Sequence, residues 1–174
     1  MIEGQRVRLR SAVEADIASL VAIRSTPEVR ARWHGDDIEK DVKESIAEED
    51  LHFLVIEEQA RSIIGAIQWG AEDEPDYRHA NMDIFLDPRV HRQGYGYESI
   101  MTLVTFLFDR ESHHRITIDP AADNEIAIRC YEKIGFRKVG VMRQYERGPD
   151  GSWHDGVLME LLADDFHATK LREN

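Results

Sequence analysis

The stretch Arg89-Val-His-Arg-Gln-Gly-Tyr-Gly-Tyr-Glu-Ser-Ile100 decides how this chain is read. It joins an alternating, strand-like run at residues 79–86 to an apolar run with helical spacing, and Gly94 and Gly96 stand at the junction. Glycine permits positive φ and a close approach of backbone to ligand, and the first amides of a helix have no intrahelical acceptor. A glycine turn that opens a helix therefore suits an anion, a phosphate above all. Spacing excludes two other phosphate loops: a dinucleotide fingerprint needs a third glycine where Ser99 stands, and a P-loop needs Gly-Lys-Ser/Thr after four residues. On this segment alone, a tight strand-to-helix turn without a ligand is the competing reading.

A second segment, residues 119–136 (DPAADNEIAIRCYEKIGF), separates the two. Together the segments closely resemble the acetyl-CoA-dependent GNAT N-acyltransferases, in which a Gln/Arg-x-x-Gly-x-Gly/Ala loop holds the pyrophosphate and an Asn-x-x-Ala…Tyr-x-Lys-x-Gly-Phe helix lies beside the thioester. Asn124, Ala127, Tyr131, Lys133, Gly135 and Phe136 match the second motif, and Gly94 and Gly96 match the first. His91 departs from it, standing where Gln or Arg is usual, so Arg92 or Arg89 is expected to supply that phosphate contact. The resemblance implies acetyl-CoA as cosubstrate. It would be held by the loop (His91, Arg92, Gln93, Gly94, Tyr95, Gly96, Tyr97), by Phe85 and Leu86 before it, and by Asn124, Ala127 and Tyr131. Residues 119–136 look most like the aminoglycoside 6′-N-acetyltransferases, and Trp33-His-Gly-Asp-Asp37 is similar to their substrate-side segment. The implied fold is α/β, one GNAT domain over residues 1–174 with a mixed central sheet of about six to seven strands flanked by helices.

Composition agrees. A chain of 174 residues is of single-domain size, no run approaches a membrane span, and the start lacks the apolar core of a signal peptide, so a cytoplasmic protein is expected. The one cysteine, Cys130, cannot form an internal disulfide and reads as a packing residue. Thirty-four acidic against twenty-two basic residues give a net charge of −12, which disfavours nucleic acid and anionic membranes and favours a small polycationic amine. A solvated acidic surface serving only solubility is the alternative. Acids cluster at Asp36-Asp37, at residues 48–50 and at residues 72–76, whereas residues 89–92 are locally basic. No His/Cys set has metal-ligand spacing, so no metal is expected, and His113-His114 reads as a solvated turn. A homodimer is left open.

Along the chain, residues 7–10 alternate as a strand, and Ser11 with Glu14 reads as a capping box before Val13, Ile17, Leu20 and Val21. Pro27 interrupts the pattern, and Ile38, Val42 and Ile46 mark a second helix behind Trp33. Residues 52–57 and 62–69 read as a hairpin, residues 79–86 and 115–119 as parallel strands, and residues 124–134 as a helix stopped by Gly135. Strands follow near 137–141 and 157–162, with a turn at 148–151 and a frayed tail at 170–174.

Acyl transfer to an amine needs a neutral amine, a polarised carbonyl and a proton for the departing thiolate. Asp83 stands as a base or, equally, as a substrate-binding or structural carboxylate; it matches an aspartate at the corresponding place in the aminoglycoside enzymes. Asp119, at a strand's carboxyl end, is the second acidic candidate, with an Asp-Pro turn as its alternative. Tyr131, two helical turns past Asn124, is the expected acid toward the sulfur, against a buried structural tyrosine. Backbone N–H groups near Phe85 and Leu86 would polarise the carbonyl. Trp33 with Asp36 and Asp37 reads as a sugar platform flanked by carboxylates, or as an aromatic staple. Acylation of a protein N-terminus or a siderophore-precursor amine, and a non-catalytic acyl-CoA-binding module, are the rival functions.

Overall fold

Local rules account for most of the elements seen in the computed structural model, which describes residues 1–148 and 151–173. The strands are β1 (Ile2–Glu3), β2 (Val7–Ser11), β3 (Leu51–Glu58), β4 (Ile63–Glu72), β5 (His79–Leu86), β6 (Arg115–Ile118), β7 (Arg137–Arg147) and β8 (Trp153–Leu162). The helices are α1 (Ile17–Arg24), α2 (Pro27–Arg30), α3 (Ile38–Ala47), α4 (Tyr95–Asp109), α5 (Glu125–Ile134) and α6 (Ala163–Glu173). The sheet is mixed and runs in the order β1-β2-β3-β4-β5-β6-β8-β7, eight strands where six to seven were expected. The extra one is the two-residue β1, too short to leave a pattern. The α/β expectation is met.

The chain divides into two compact units, Met1–Gly70 with Asp83–Leu103, and Ala71–Met82 with Val104–Asn174. In the first, β2, β3 and β4 pair antiparallel, and a core of Leu20, Ile23, Val42, Phe53, Val55 and Phe85 is closed by Trp33, Ile38 and Ile46. Each such buried aliphatic side chain contributes roughly 1.5–3 kcal/mol. Helix α1 does not begin on a Ser11 capping box. Ser11 is still paired in β2, and the Asp16 carboxylate instead takes the Val13 N–H at 2.8 Å. Pro27 does end the pattern, and it opens α2, where its missing N–H costs nothing.

In the second unit β6 lies parallel to β5 through Ala80↔Ile116 and Asn81↔Thr117, and antiparallel to β8. Helix α5 ends as expected on Gly135, at φ +117° the left-handed stop, and it starts with Asn124 Oδ1 accepting the Ala127 N–H at 3.3 Å. His113 corrects the reading of a solvated turn. It is buried, its N–H donates to the Leu107 carbonyl at 3.1 Å, and burial pushes its imidazole below the usual value. Strand β7 runs six residues beyond the expected end at Val141, and α6, unanticipated, packs Phe166 against Phe108. The turn at 148–151 is closed by a Gly151 N–H to Gly148 carbonyl bond of 2.9 Å; Pro149 and Asp150 lie outside the described residues, as do Asn174 and the side chains from Lys170 onward.

One polar network in the first unit joins two buried carboxylates to two half-buried arginines. Glu57 accepts from Arg8 Nε at 2.8 Å and from Arg10 Nε at 2.6 Å, and Arg10 grips Asp16 with two bonds of 2.7 and 2.8 Å. The Arg10 bond is the main reason the Asp16 carboxyl sits below its ordinary value. For Glu57, burial pushes upward, but the bonds from Arg8 and Arg10 outweigh it and the net direction is down. A folded pKa below the unfolded one means stability that is complete above about pH 4.5 and lost as pH falls through the folded value. Glu57→Gln removes the negative charge that Arg8 and Arg10 share but keeps one acceptor oxygen, and Arg10 retains Asp16, so it is expected to cost about 1.5 kcal/mol at neutral pH. Denaturant titrations from pH 7 downward should show that gap holding until about pH 4.5 and then closing; a gap independent of pH would assign the loss to packing.

Candidate functional site

The predicted cofactor loop is assembled from backbone conformation outward. Asp87 is buried and fully engaged: its Oδ1 caps the turn by accepting the Arg89 N–H at 2.9 Å, and its two oxygens hold the Arg89 guanidinium at 2.5–3.0 Å. That bond holds the Asp87 carboxyl below its ordinary range. Arg89 is therefore committed, whereas Arg92, exposed and at φ +61°, makes no side-chain hydrogen bond or ion pair among the described residues. His91 turns its Nε2 to the Leu86 carbonyl at 3.1 Å. Gly94 takes φ +88°, which an L side chain rarely adopts, and α4 begins at the next residue. Gly96 lies inside that first turn, where a β-carbon would sit 3.3 Å from Leu86 Cδ1. The expected need for glycine thus differs at the two positions, conformation at the first and proximity at the second.

A residue that the sequence did not single out braces this loop. Arg6 donates Nε to Glu98 Oε2 at 2.7 Å and Nη1 to the Gln93 carbonyl at 3.1 Å, and its guanidinium lies 4.8 Å from the centre of the Tyr95 ring. The backbone N–H of Arg6 and that of Val7 also donate to Glu98 Oε1. Tyr95 in turn donates its hydroxyl to Glu58 Oε2 at 3.3 Å, and Gln93 Nε2 donates to the Arg89 carbonyl at 2.8 Å. Tyr97 is half-buried. The result is a fixed turn at the N-terminus of a fifteen-residue helix, with first-turn amides that have no intrahelical acceptor.

Strand β5 ends beside this loop. Asp83 is exposed, and its Oδ1 accepts the Ile84 N–H at 2.8 Å, which fixes the carboxylate against its own strand. Phe85 is buried, Leu86 half-buried, and Gly65 of β4 is held to glycine because a β-carbon there would collide with the Phe85 carbonyl. Trp33 meets Phe85 edge-on, with ring centres 4.9 Å apart and planes at 69°, and the buried Arg24 guanidinium lies 5.4 Å from its ring centre. Its ring is thus engaged in packing. Asp37 caps α3 by accepting the Lys40 N–H at 3.1 Å, while Asp36 is exposed.

The second unit carries the other group. Asp119, half-buried just past β6, accepts a hydrogen bond at Oδ2 from the Tyr145 hydroxyl, a partner the sequence did not reveal. Tyr131 is buried on α5 with its ring centre 6.1 Å from that of Phe136, and Ala127 is half-buried a turn before it. Burial pushes the Cys130 thiol upward, away from the thiolate form, in keeping with a packing residue.

Comparison with known proteins gives a consistent result. The family model described as "Acetyltransferase (GNAT) domain" matches residues 6–137. Aminoglycoside N(6′)-acetyltransferase type 1 of Klebsiella pneumoniae is 24% identical across 94% of this chain and 87% of its own length. A kanamycin resistance protein of Rhizobium radiobacter is 32% identical across 59% of this chain and 87% of its own. The structure of spermidine N-acetyltransferase from Vibrio cholerae in complex with CoA and spermine superposes with a TM-score of 0.79 at 20% identity, over 93% of this chain and 98% of that one, a likeness of fold.

The two glycines should separate experimentally. Gly94→Ala forces an alanine to positive φ with its β-carbon 3.0 Å from Arg6 Nη2, and should cost about 1 kcal/mol or more. Gly96→Ala, already helical and facing only the flexible end of Leu86, should be neutral or slightly stabilising. Urea midpoints of both variants check this, and equal losses would show that backbone conformation is not what Gly94 supplies.

Proposed function

The chain belongs to the GNAT acetyltransferase family, enzymes that use acetyl-CoA, and on that premise we propose that it transfers acetyl directly to a primary amine of a small polycationic acceptor, the 6′-amine of an aminoglycoside being the first candidate. The observation that carries the reading is the braced glycine turn at the start of α4, whose positive-φ Gly94 and first-turn amides form the cradle that a pyrophosphate requires. Arg92 is the free cation of that loop and takes the place left by His91. Acetyl-CoA supplies the activated acetyl thioester.

The chain's own groups then divide the work. Backbone N–H groups at Phe85 and Leu86 polarise the acetyl carbonyl. Asp83, fixed through one oxygen on Ile84, receives the proton that the acceptor ammonium must lose, directly or through water. As the amine nitrogen bonds to the acetyl carbon and the C–S bond breaks, the nitrogen releases its second proton to solvent, and the Tyr131 phenol delivers a proton to the departing sulfur and is itself reprotonated from solvent. Asn124 and Ala127 open the helix that carries it. Asp36, Asp83 and Asp119 provide the negative charge that favours an acceptor with several ammonium groups. The aminoglycoside and kanamycin resistance relatives support this acceptor class by name.

A thiol-release assay over a panel of amines tests the proposal. Kanamycin and spermine should be turned over in preference to glucosamine or a peptide N-terminus, with rates that fall as salt screens the carboxylates. Equal use of a neutral-flanked peptide would move the acceptor to the protein N-terminus class. Tyr131→Phe should lower kcat about tenfold or more with little change in acceptor KM, a barrier increase of about 1.4 kcal/mol; a kcat within about twofold of the parent would remove Tyr131 from the acid role.

A further inference from the structure

Strand β7 is broken in an unusual way where Tyr145 sits. Pairing with β8 reaches Met142↔Gly156 and resumes at Glu146↔His154, so three residues of β7, Arg143 to Tyr145, stand opposite Asp155 alone. Gln144 is held at φ +52°, a conformation that non-glycine residues seldom adopt, and its N–H is caught by Asp155 Oδ1 at 2.8 Å. The Asp155 carbonyl accepts the Ala122 N–H at 2.8 Å, the Val157 N–H donates to the Pro120 carbonyl at 2.9 Å, and Ala121 bridges Gly156. The segment that follows Asp119 is thereby clipped to β8, while the bulge brings the Tyr145 hydroxyl to Asp119 Oδ2. Gly156 leaves the room: a β-carbon there would lie 2.8 Å from Tyr145 Cδ1.

Packing does not account for this arrangement, since Tyr145 is 49% exposed. A strained residue, a side-chain carboxylate that holds its N–H and a glycine all border the contact of Tyr145 with Asp119. We infer that Tyr145 is a positioning residue which fixes the Asp119 carboxylate through Oδ2 and turns Oδ1 toward an ammonium group of the acceptor, making Asp119 an anchor for the polycation and not its base. The inference rests on the acceptor class proposed above. An anchor acts on acceptor affinity, so its loss appears in KM; a base acts on the chemical step, so its loss appears in kcat.

The experiment compares the full-length parent, Tyr145→Phe, Asp119→Asn and the double variant with kanamycin, spermine and glucosamine. Tyr145→Phe removes one hydrogen bond to a charged group and should raise KM for kanamycin and spermine about fivefold or more, with kcat within about twofold and acetyl-CoA affinity unchanged. Any effect on glucosamine, with its single ammonium, should be smaller. The double variant should be no worse than Asp119→Asn alone, because the tyrosine then has nothing to position. Gly156→Ala, which displaces the ring without removing the hydroxyl, should reproduce the Tyr145→Phe profile. If Asp119→Asn raises KM but Tyr145→Phe matches the parent, or if the two losses add, the positioning role is overturned while the acceptor class stands. If Asp119→Asn leaves KM unchanged, or the parent acetylates none of the three amines, the acceptor reading itself fails and the inference with it.

Discussion

The carboxylate of Glu98 is the point on which the proposed cofactor loop depends. It receives the backbone N–H groups of Arg6 and Val7 and the Arg6 guanidinium, so the start of β2 and the first turn of α4 are tied at one place. An acid in the first turn also complements the helix dipole. As an exposed ion pair Arg6–Glu98 would count for little, but Glu98 is only 15% exposed and the same guanidinium also reaches Gln93 and Tyr95. The energy is modest and the geometric effect large. If the loop presents several amides to one anion, as proposed, it gains from losing its conformational freedom before the anion arrives.

What was legible in the sequence follows from the range of the interactions. The Gly94 turn and the Gly135 stop are local, each decided by one residue and its neighbours within a turn, and the structure shows both. Ser11 failed as a cap because a longer-range competitor, strand pairing with Leu54, held it in β2. Strand β7 was read short because it is exposed on most positions and so lacks the alternation that marks a half-buried strand. The Arg6–Glu98 and Tyr145–Asp119 contacts span 92 and 26 residues and obey no spacing rule, so no single-sequence signal could have found them. His113 was misjudged for a related reason, since two adjacent histidines after a helix carry no sign of burial.

The acidic excess also reads differently once partners are known. Asp16 and Glu57 are consumed by Arg8 and Arg10, Asp87 by Arg89, Asp37 by the start of α3 and Glu98 by Arg6. These acids build the frame. Four of them are matched by four arginines, so the pairs cancel and leave the net charge of −12 on the other carboxylates, Asp36, Asp83 and Asp119 among them.

The bulge in β7 has a bearing on self-association as well. β7 is the last strand in the sheet, eleven residues long and exposed, with Val139 and Val141 pointing outward. A flat edge of that length offers a template on which another chain can add a strand. Here the extra residues after Met142 break the ladder and the left-handed Gln144 bends it. No regular run of unpaired backbone groups survives beyond about half the strand. The same irregularity that carries Tyr145 thus makes this edge a poor template for a further strand.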